Sequence, residues 1–89
     1  MILEYEEKML ELIDSKVETA SDDELFAGGY LRGHISLSAA DCEAAGETEI
    51  GQLTKRIEES LENARSELTP SDRILVSDLW AQLHESVLN

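Results

Sequence analysis

The amino-acid sequence predicts an all-α protein, built as a small antiparallel bundle of four helices. Apolar residues recur at steps of three and four in four separate stretches, which is the spacing of one face of a helix. No stretch of useful length alternates apolar and polar residues as a strand would, and Pro70 is the only proline in 89 residues. Because the connections between the stretches are short, consecutive helices should lie antiparallel.

Size and charge limit the kind of protein this can be. A chain of 89 residues suits one helical domain, expected over residues 1–89. Its net charge of −13 repels nucleic-acid phosphates and anionic lipids, so neither nucleic acid nor a membrane is a predicted partner. Cys42 is the only cysteine, and the acidic N-terminus lacks the pattern of a signal peptide. Together these features predict a cytoplasmic protein.

The first stretch predicts an amphipathic helix whose acidic residues lie opposite a wide apolar stripe. The stripe consists of Ile2, Tyr5, Met9, Leu12, Ile13, Val17 and Ala20, with Leu3 and Leu10 at its edge. Such a stripe would bury one side of the helix against the rest of the bundle.

The second helix is expected to begin at Ser21 and to run to about Ala45, with Gly46 as its C-terminal stop. Ser21 followed by Glu24 is a capping box. In this arrangement the serine oxygen accepts a hydrogen bond from a free backbone N–H, and the glutamate accepts one from the serine N–H. The two aspartates between them place negative charge where the helix dipole favours it.

Three glycines interrupt this helical pattern, at Gly28, Gly29 and Gly33. Each costs about 0.8–1.0 kcal/mol relative to alanine in a helix interior, so something must offset the loss. The capping box and the later periodicity favour one continuous or kinked helix. The alternative is a break at Gly28–Gly29, which would leave a three-helix core with an irregular second segment.

Two apolar sides are predicted on the second helix. One side consists of Phe26, Gly29, Tyr30, Gly33, Leu37 and Ala40. Gly29 and Gly33 are four residues apart on this side and would form a notch into which another helix could pack closely. The other side holds Leu31, Ile35 and Cys42. Two apolar sides are typical of a buried central helix or of a helix that also contacts a partner.

Two more helices complete the predicted bundle. The third should begin near Thr48, and its apolar stripe consists of Ile50, Leu53, Ile57, Leu61, Ala64 and Leu68. The fourth has the clearest start, because Thr69 can cap it, Pro70 suits the first helical position and Asp72 adds first-turn charge. Its apolar arc consists of Leu75, Val76, Leu79, Trp80, Leu83 and Val87.

Arg32 and His34 are the side chains of the second helix best suited to bind a charged or polar group. No carboxylate lies three or four positions from Arg32 along the helix. Arg32 should therefore pair with a carboxylate of another helix, lie in water or hold an anion. His34 comes four residues after Tyr30, so the two rings should be neighbours. The simplest interpretation of His34 is a satisfied or solvent-facing histidine.

No catalytic, cofactor-binding or metal-binding residue is predicted. No motif surrounds a nucleophile, and the glycines lie within a helical pattern rather than between a strand and a helix. His34, His84 and Cys42 are too widely separated to form a metal-ligand spacing. Cys42 and Trp80 are interpreted as core residues.

Two segments carry a resemblance to a known family. SDDELFAGGYLRGHISL at Ser21–Leu37 and TPSDRILVSDLWAQL at Thr69–Leu83 are similar to the YfcL family, small gammaproteobacterial proteins without an established activity. The resemblance extends over almost the whole chain, with no match claimed for residues 41–54. It implies a bacterial cytoplasmic protein, and it transfers no catalytic residue.

Two functions from different classes are compatible with these features. The first is a noncatalytic protein-interaction module, or a homo-oligomer, that acts through the second helix. The second is a protein that binds a small ligand or an anion near Tyr30, Arg32 and His34. The candidate surface for either function consists of Phe26, Gly29, Tyr30, Arg32, Gly33 and His34.

Overall fold

A computed structural model describes residues 2–88 of the chain as four helices without a strand. The helices are α1 (Ile2–Ser15), α2 (Asp22–Ala44), α3 (Ile50–Ala64) and α4 (Pro70–Leu88). Short 3-10 turns at Val17–Thr19 and Arg65–Glu67 follow α1 and α3. The predicted four-helix bundle is therefore confirmed. The extent of the domain over residues 1–89 stays a prediction, and its two end residues lie outside the described part.

The side-chain pairs between helices show that sequential helices run antiparallel. Near its C-terminal end, α1 contacts the first half of α2, where Ile13 lies against Gly28. Farther along α2, Ala40 lies beside Glu6 near the start of α1. His34 pairs with Ser60 late in α3, whereas the later residue Asp41 lies beside the earlier residue Arg56. Trp80 of α4 donates to Glu58 of α3, whereas Arg73 at the start of α4 donates to the carbonyl of Arg65 just after α3. Because α2 packs against each of the other three helices and makes the most extensive contacts with α3 and α4, it is the central element of the bundle.

The second helix is continuous through its glycines. Ser21 Oγ accepts from the backbone N–H of Glu24 at 3.2 Å, and Glu24 Oε1 accepts from the backbone N–H of Ser21 at 3.2 Å. The helix ends before Gly46, whose φ of +72° lies in the left-handed region that glycine adopts without strain. The capping box and the stop are confirmed, and the alternative of a broken second helix is wrong.

Only one of the three glycines is needed for close packing inside the bundle. A Cβ at Gly28 would meet the Cγ2 of Ile13 at 3.2 Å, which is tighter than ordinary van der Waals contact. Around Gly29 and Gly33 a Cβ would meet no atom within 4 Å. No helix of the described chain packs into the Gly29–Gly33 notch, and its use as a partner surface stays a prediction. The notch faces outward because α1, α3 and α4 pack on the other side of α2.

The core lies on the α2 side that carries Leu31, Ile35 and Cys42, and all three side chains are fully buried. The largest fully buried partners from the other helices are Met9, Leu53, Ile57 and Leu83. Trp80 is also buried, and its indole N–H donates to a carboxylate oxygen of Glu58 at 3.2 Å. The assignment of Cys42 and Trp80 to the core is confirmed.

The ends of α1 and α3 differ from the sequence prediction by a few residues, and the start of α4 agrees with it. α1 ends at Ser15, and the chain then tightens into a 3-10 turn rather than continuing as α-helix to residue 20. α3 begins at Ile50 rather than near Thr48, because Glu49 and Gln52 form a capping box there. Thr69 Oγ1 accepts from the backbone N–H of Asp72 at 3.2 Å, as expected for the start of α4.

Candidate functional site

The outward side of α2 carries a strip of apolar and small residues that the bundle does not cover. This outer strip consists of Phe26, Tyr30, Gly33, Leu37 and Ala40. Its members are spaced by four, three, four and three residues, which keeps them on one side of the helix. Phe26 is 42% exposed and Leu37 is 58% exposed. The predicted second apolar side of the helix is therefore real, and it faces away from the core.

Aromatic rings stack along one edge of the outer strip. The ring centroids of Phe26 and Tyr30 are 6.0 Å apart, and those of Tyr30 and His34 are 4.7 Å apart. The Tyr30 hydroxyl is buried and forms no hydrogen bond in the described part of the chain. Burial and then the nearby charge of Glu67 raise the pKa of Tyr30. The Phe26–Tyr30 pair is stacked and the Tyr30–His34 pair is tilted, so the three rings form a continuous row along the helix.

His34 connects the strip to α3. Its Nδ1 lies 2.6 Å from Ser60 Oγ in a partly buried hydrogen bond, and the tautomer decides which atom donates. A serine hydrogen-bonded to a histidine is the arrangement of a nucleophile and its general base in many enzymes. Within residues 2–88 no side chain hydrogen-bonds the other ring nitrogen, so the group that would orient the base is missing from that stretch. The contact is best understood as a helix-to-helix hydrogen bond.

Arg32 lies on the α1 side of α2. Its Nε and Nη2 atoms donate to the two carboxylate oxygens of Asp14, each at 3.1 Å, in a bidentate pair between helices. Pairing with a carboxylate of another helix, one of the three expected environments, is confirmed. The hydrogen bonds from Arg32 hold the pKa of Asp14 below its usual value.

Tyr30, Arg32 and His34 are not brought together by the fold. The rings of Tyr30 and His34 are in tilted contact, with His34 bonded to α3 and Tyr30 near Glu67 in the turn after α3, whereas Arg32 reaches α1. A single ligand that contacts all three side chains would have to span the width of α2. The residues that complete these contacts, Asp14 and Ser60, were not identified from the sequence. Nothing in the sequence links them to α2, because 18 and 26 residues separate the paired positions.

A cleft of about 340 Å³ lies between the C-terminal end of α1, the first half of α2 and α4. Its apolar lining includes Ile13, Val17, Leu25, Leu75 and Leu79. Arg32 lies at its edge, where Asp14 already neutralises it, and Lys16 also lines the cleft. Sequence reasoning missed this cleft because it depends on how α4 lies against the turn after α1.

A shallow groove of about 590 Å³ continues the outer strip toward α1. Leu3, which is 65% exposed, lies in this groove with Ala40. Glu6 and Glu43 line the same groove. Burial raises the pKa of Glu6, the charges of Glu7 and Glu43 add to the rise, and Arg32 opposes it.

Carboxylates surround the outer strip on both long sides. Glu6 and Glu43 flank it toward α1, and Glu67 flanks it toward α3 beside Tyr30. Asp41 comes four residues after Leu37 on α2 and extends the border that faces α3. We refer to Glu6, Asp41, Glu43 and Glu67 as the acidic rim. Two arginines lie near the rim, Arg32 beside Glu6 and Arg56 beside Asp41. Each already pairs with another carboxylate, Arg32 with Asp14 and Arg56 with Glu47, so the rim keeps an excess of negative charge.

Three other carboxylates are stabilised in their charged form. Arg32 lowers the pKa of Asp14, the backbone N–H of Ser21 lowers that of Glu24, and Arg56 lowers that of Glu47 through a side-chain hydrogen bond. Each interaction exists only in the folded chain. All three groups therefore link the stability of the fold to pH in the same direction.

The melting temperature is expected to fall steeply below about pH 4, the ordinary carboxyl range. A carboxyl group whose folded pKa is lowered contributes stability above its unfolded pKa, and the contribution is lost as pH falls through the folded pKa. Asp14, Glu24 and Glu47 have this sign, whereas Glu6 has the opposite sign and gains from protonation first. Thermal melts by circular dichroism between about pH 7 and about pH 3 measure the effect.

The double variant Asp14→Asn, Glu47→Gln is the control for this pH dependence. It should melt lower than the unaltered chain at neutral pH and lose less on acidification, because two of the three groups no longer titrate. A melting temperature that keeps rising to the acid end would show that relief of charge repulsion outweighs these pairs.

Within residues 2–88, no group of three or more His, Cys, Asp or Glu side chains is arranged to hold a metal ion. No helix in this part of the chain is long and apolar enough to cross a membrane.

Comparison with known proteins finds a family and a similar bacterial protein that match this chain. The sequence profile of the family described as YfcL protein matches residues 3–85. A relative from Escherichia coli (strain K12), described as uncharacterized protein YfcL, is 45% identical over 87 residues, covering 96% of this chain and 95% of its own length. No solved structure matches the chain. The match with the family profile spans all four helices, and the chain belongs to the YfcL family.

Proposed function

We propose that this protein is a noncatalytic cytoplasmic binding protein that captures another protein through the outer strip of α2. The observation that carries the proposal is an exposed, regularly spaced apolar strip on a helix whose other side already completes the core. Phe26 and Leu37 are 42% and 58% exposed, whereas Leu31 and Ile35 are fully buried. Folding alone does not require apolar residues at exposed positions that face away from the core.

The glycines support the same conclusion. Gly33 lies on the outward side of α2, and Gly29 lies where that side borders the cleft between α1 and α4. At neither position does any atom of the bundle come within 4 Å of an added Cβ. Each of them costs helix stability without any packing gain inside this chain. A partner helix that approaches the α2 backbone closely would explain why small residues suit these two positions.

The small-ligand alternative has weaker support. Its sequence motivation was an arginine without a local partner, and Asp14 now supplies that partner in a bidentate pair. Tyr30 and His34 reach α3 on the opposite side of α2. No observation therefore favours a ligand shared by Tyr30, Arg32 and His34.

The variant Leu37→Gln tests the proposed function. The tagged protein is used to capture proteins from an extract of the source bacterium, and the captured proteins are quantified by mass spectrometry. We expect specific partners of the unaltered chain to fall at least tenfold with Leu37→Gln, because a glutamine places a polar group in the middle of the apolar contact.

The matched control is Ile74→Gln on α4, where the apolar side chain is 61% exposed and lies outside the outer strip. It should capture the same proteins as the unaltered chain. Sedimentation of the purified protein determines whether the partner is a second copy. Equal losses from both variants, or no loss from Leu37→Gln, would contradict the proposal.

A further inference from the structure

We infer that the partner of the outer strip is a basic amphipathic helix of another protein. This inference rests on the proposed function and identifies the chemistry of what binds there. The shape of the strip, the charge around it and the charge of the whole chain support it independently of one another.

The shape of the strip suits a helix. From Phe26 to Ala40 it extends about 21 Å at 1.5 Å per residue, the length of about four helical turns. Its alternating spacing of four and three residues is the spacing at which two packed helices meet. Gly33 lies at the middle of the strip in open space, so a bulky side chain of the partner can reach the α2 backbone there.

The charge around the strip suits a basic partner. The acidic rim places carboxylates along both long sides of the apolar strip, with Asp41 and Glu43 on α2 itself, Glu6 on α1 and Glu67 on the turn after α3. Lysine or arginine at the corresponding positions of the partner would pair with Glu6, Asp41, Glu43 and Glu67. An acidic partner would bring like charges together at every one of these positions, which costs several kcal/mol in an interface.

The same argument disfavours a second copy of this chain. Two copies facing each other through α2 would oppose two acidic rims, each on a chain with a net charge of −13. The long-range attraction of this charge instead accelerates encounter with a basic segment, and salt screens that attraction. A basic helix is therefore the occupant that matches both the apolar strip and its border.

A photoreactive phenylalanine analogue at Phe26 tests the inference in living cells. Phe26 is an exposed aromatic residue at one end of the strip, so the replacement keeps the character of the side chain. The same analogue at Ile74 on α4 is the positional control. After irradiation, mass spectrometry identifies the crosslinked segment, and the crosslinking is repeated in the extract at about 50 mM and about 500 mM salt.

The expected result is a product specific to position 26 whose crosslinked segment carries apolar residues at steps of three and four with flanking lysine or arginine. Its yield should fall at least threefold at the higher salt concentration. The variant Asp41→Asn, Glu43→Gln should reduce the yield, whereas Asp78→Asn, Glu85→Gln on α4 should not, although both variants remove two charges.

The possible failures separate the two proposals. The basic helix would be overturned by a crosslinked segment from this same chain, by an acidic segment, or by a yield that neither salt nor Asp41→Asn, Glu43→Gln changes. Each of these outcomes would leave the binding function of the strip in place. No product at position 26, or the same products at positions 26 and 74, would overturn both.

Discussion

Truncation of Leu31 to alanine is expected to lower the free energy of unfolding by about 2–5 kcal/mol. Leu31 is fully buried at the centre of α2, where it packs within the core formed by the other three helices. Its loss removes apolar burial and leaves a cavity that the surrounding helices fill only in part. A domain of this size has a total stability of roughly 5–13 kcal/mol, so the loss is a large part of it.

Leu37→Ala on the same helix is the matched control for Leu31→Ala. Both variants make the same chemical change, but Leu37 is 58% exposed on the outer strip. Leu37→Ala should therefore change the stability by less than about 0.5 kcal/mol, the usual range for exposed positions. Urea unfolding followed by circular dichroism measures both variants. Similar losses from the two would mean that the outer strip is covered in the free protein.

Replacing both outward glycines of α2 by alanine is expected to raise stability. Gly29→Ala and Gly33→Ala should each contribute about 0.8–1.0 kcal/mol, because alanine restricts the unfolded chain and favours the helix. Nothing within 4 Å opposes the added methyl groups. For a domain of 60–100 residues each kcal/mol corresponds to roughly 4–8 °C, so the double variant should melt roughly 6–16 °C higher.

Gly28→Ala is the control on the same helix. Its methyl group would meet the Cγ2 of Ile13 at 3.2 Å, so the steric contact should offset most or all of the gain in helix propensity. Differential scanning calorimetry of the three single variants measures the difference. Equal stabilisation at positions 28, 29 and 33 would show that Ile13 moves aside without cost and that Gly28 is not a packing glycine.

The same double variant connects stability to the proposed function. If a partner helix approaches the α2 backbone at Gly33, added methyl groups should weaken its capture while they stabilise the free chain. Such opposition between stability and activity is typical of binding surfaces. If the stabilised variant captures the partner as well as the unaltered chain does, the partner contacts Phe26 and Leu37 without approaching the α2 backbone at the glycines.

The helices were predictable because their signals are local. Ser21 and Glu24 cap α2, Thr69 caps α4, and Gly46 ends α2 with a positive φ, all through contacts within a few residues. Continuity through Gly28 and Gly29 was also predictable, since the capping box and the later apolar spacing agreed on one helix. These features depend on backbone hydrogen bonds between near neighbours in the chain.

The candidate site was only partly predictable for a physical reason. The sequence identified two apolar sides on α2, but both carry bulky side chains of similar hydrophobicity, so periodicity cannot tell which side is buried. The partners of Arg32 and His34 lie 18 and 26 residues away in the chain. Their identity depends on which helices pack together and in which register, and no local pattern encodes that register.

The sequence by itself determined an acidic, all-α chain with four capped or periodic helices and an unusual second helix. Only the tertiary structure decided that Leu31 and Ile35 enter the core, that Gly28 rather than Gly29 or Gly33 meets another helix, and that Asp14 neutralises Arg32. The reason is that burial is a property of the whole assembly. In this bundle the other three helices cover one side of α2, and the other side, with its acidic rim, remains open to solvent.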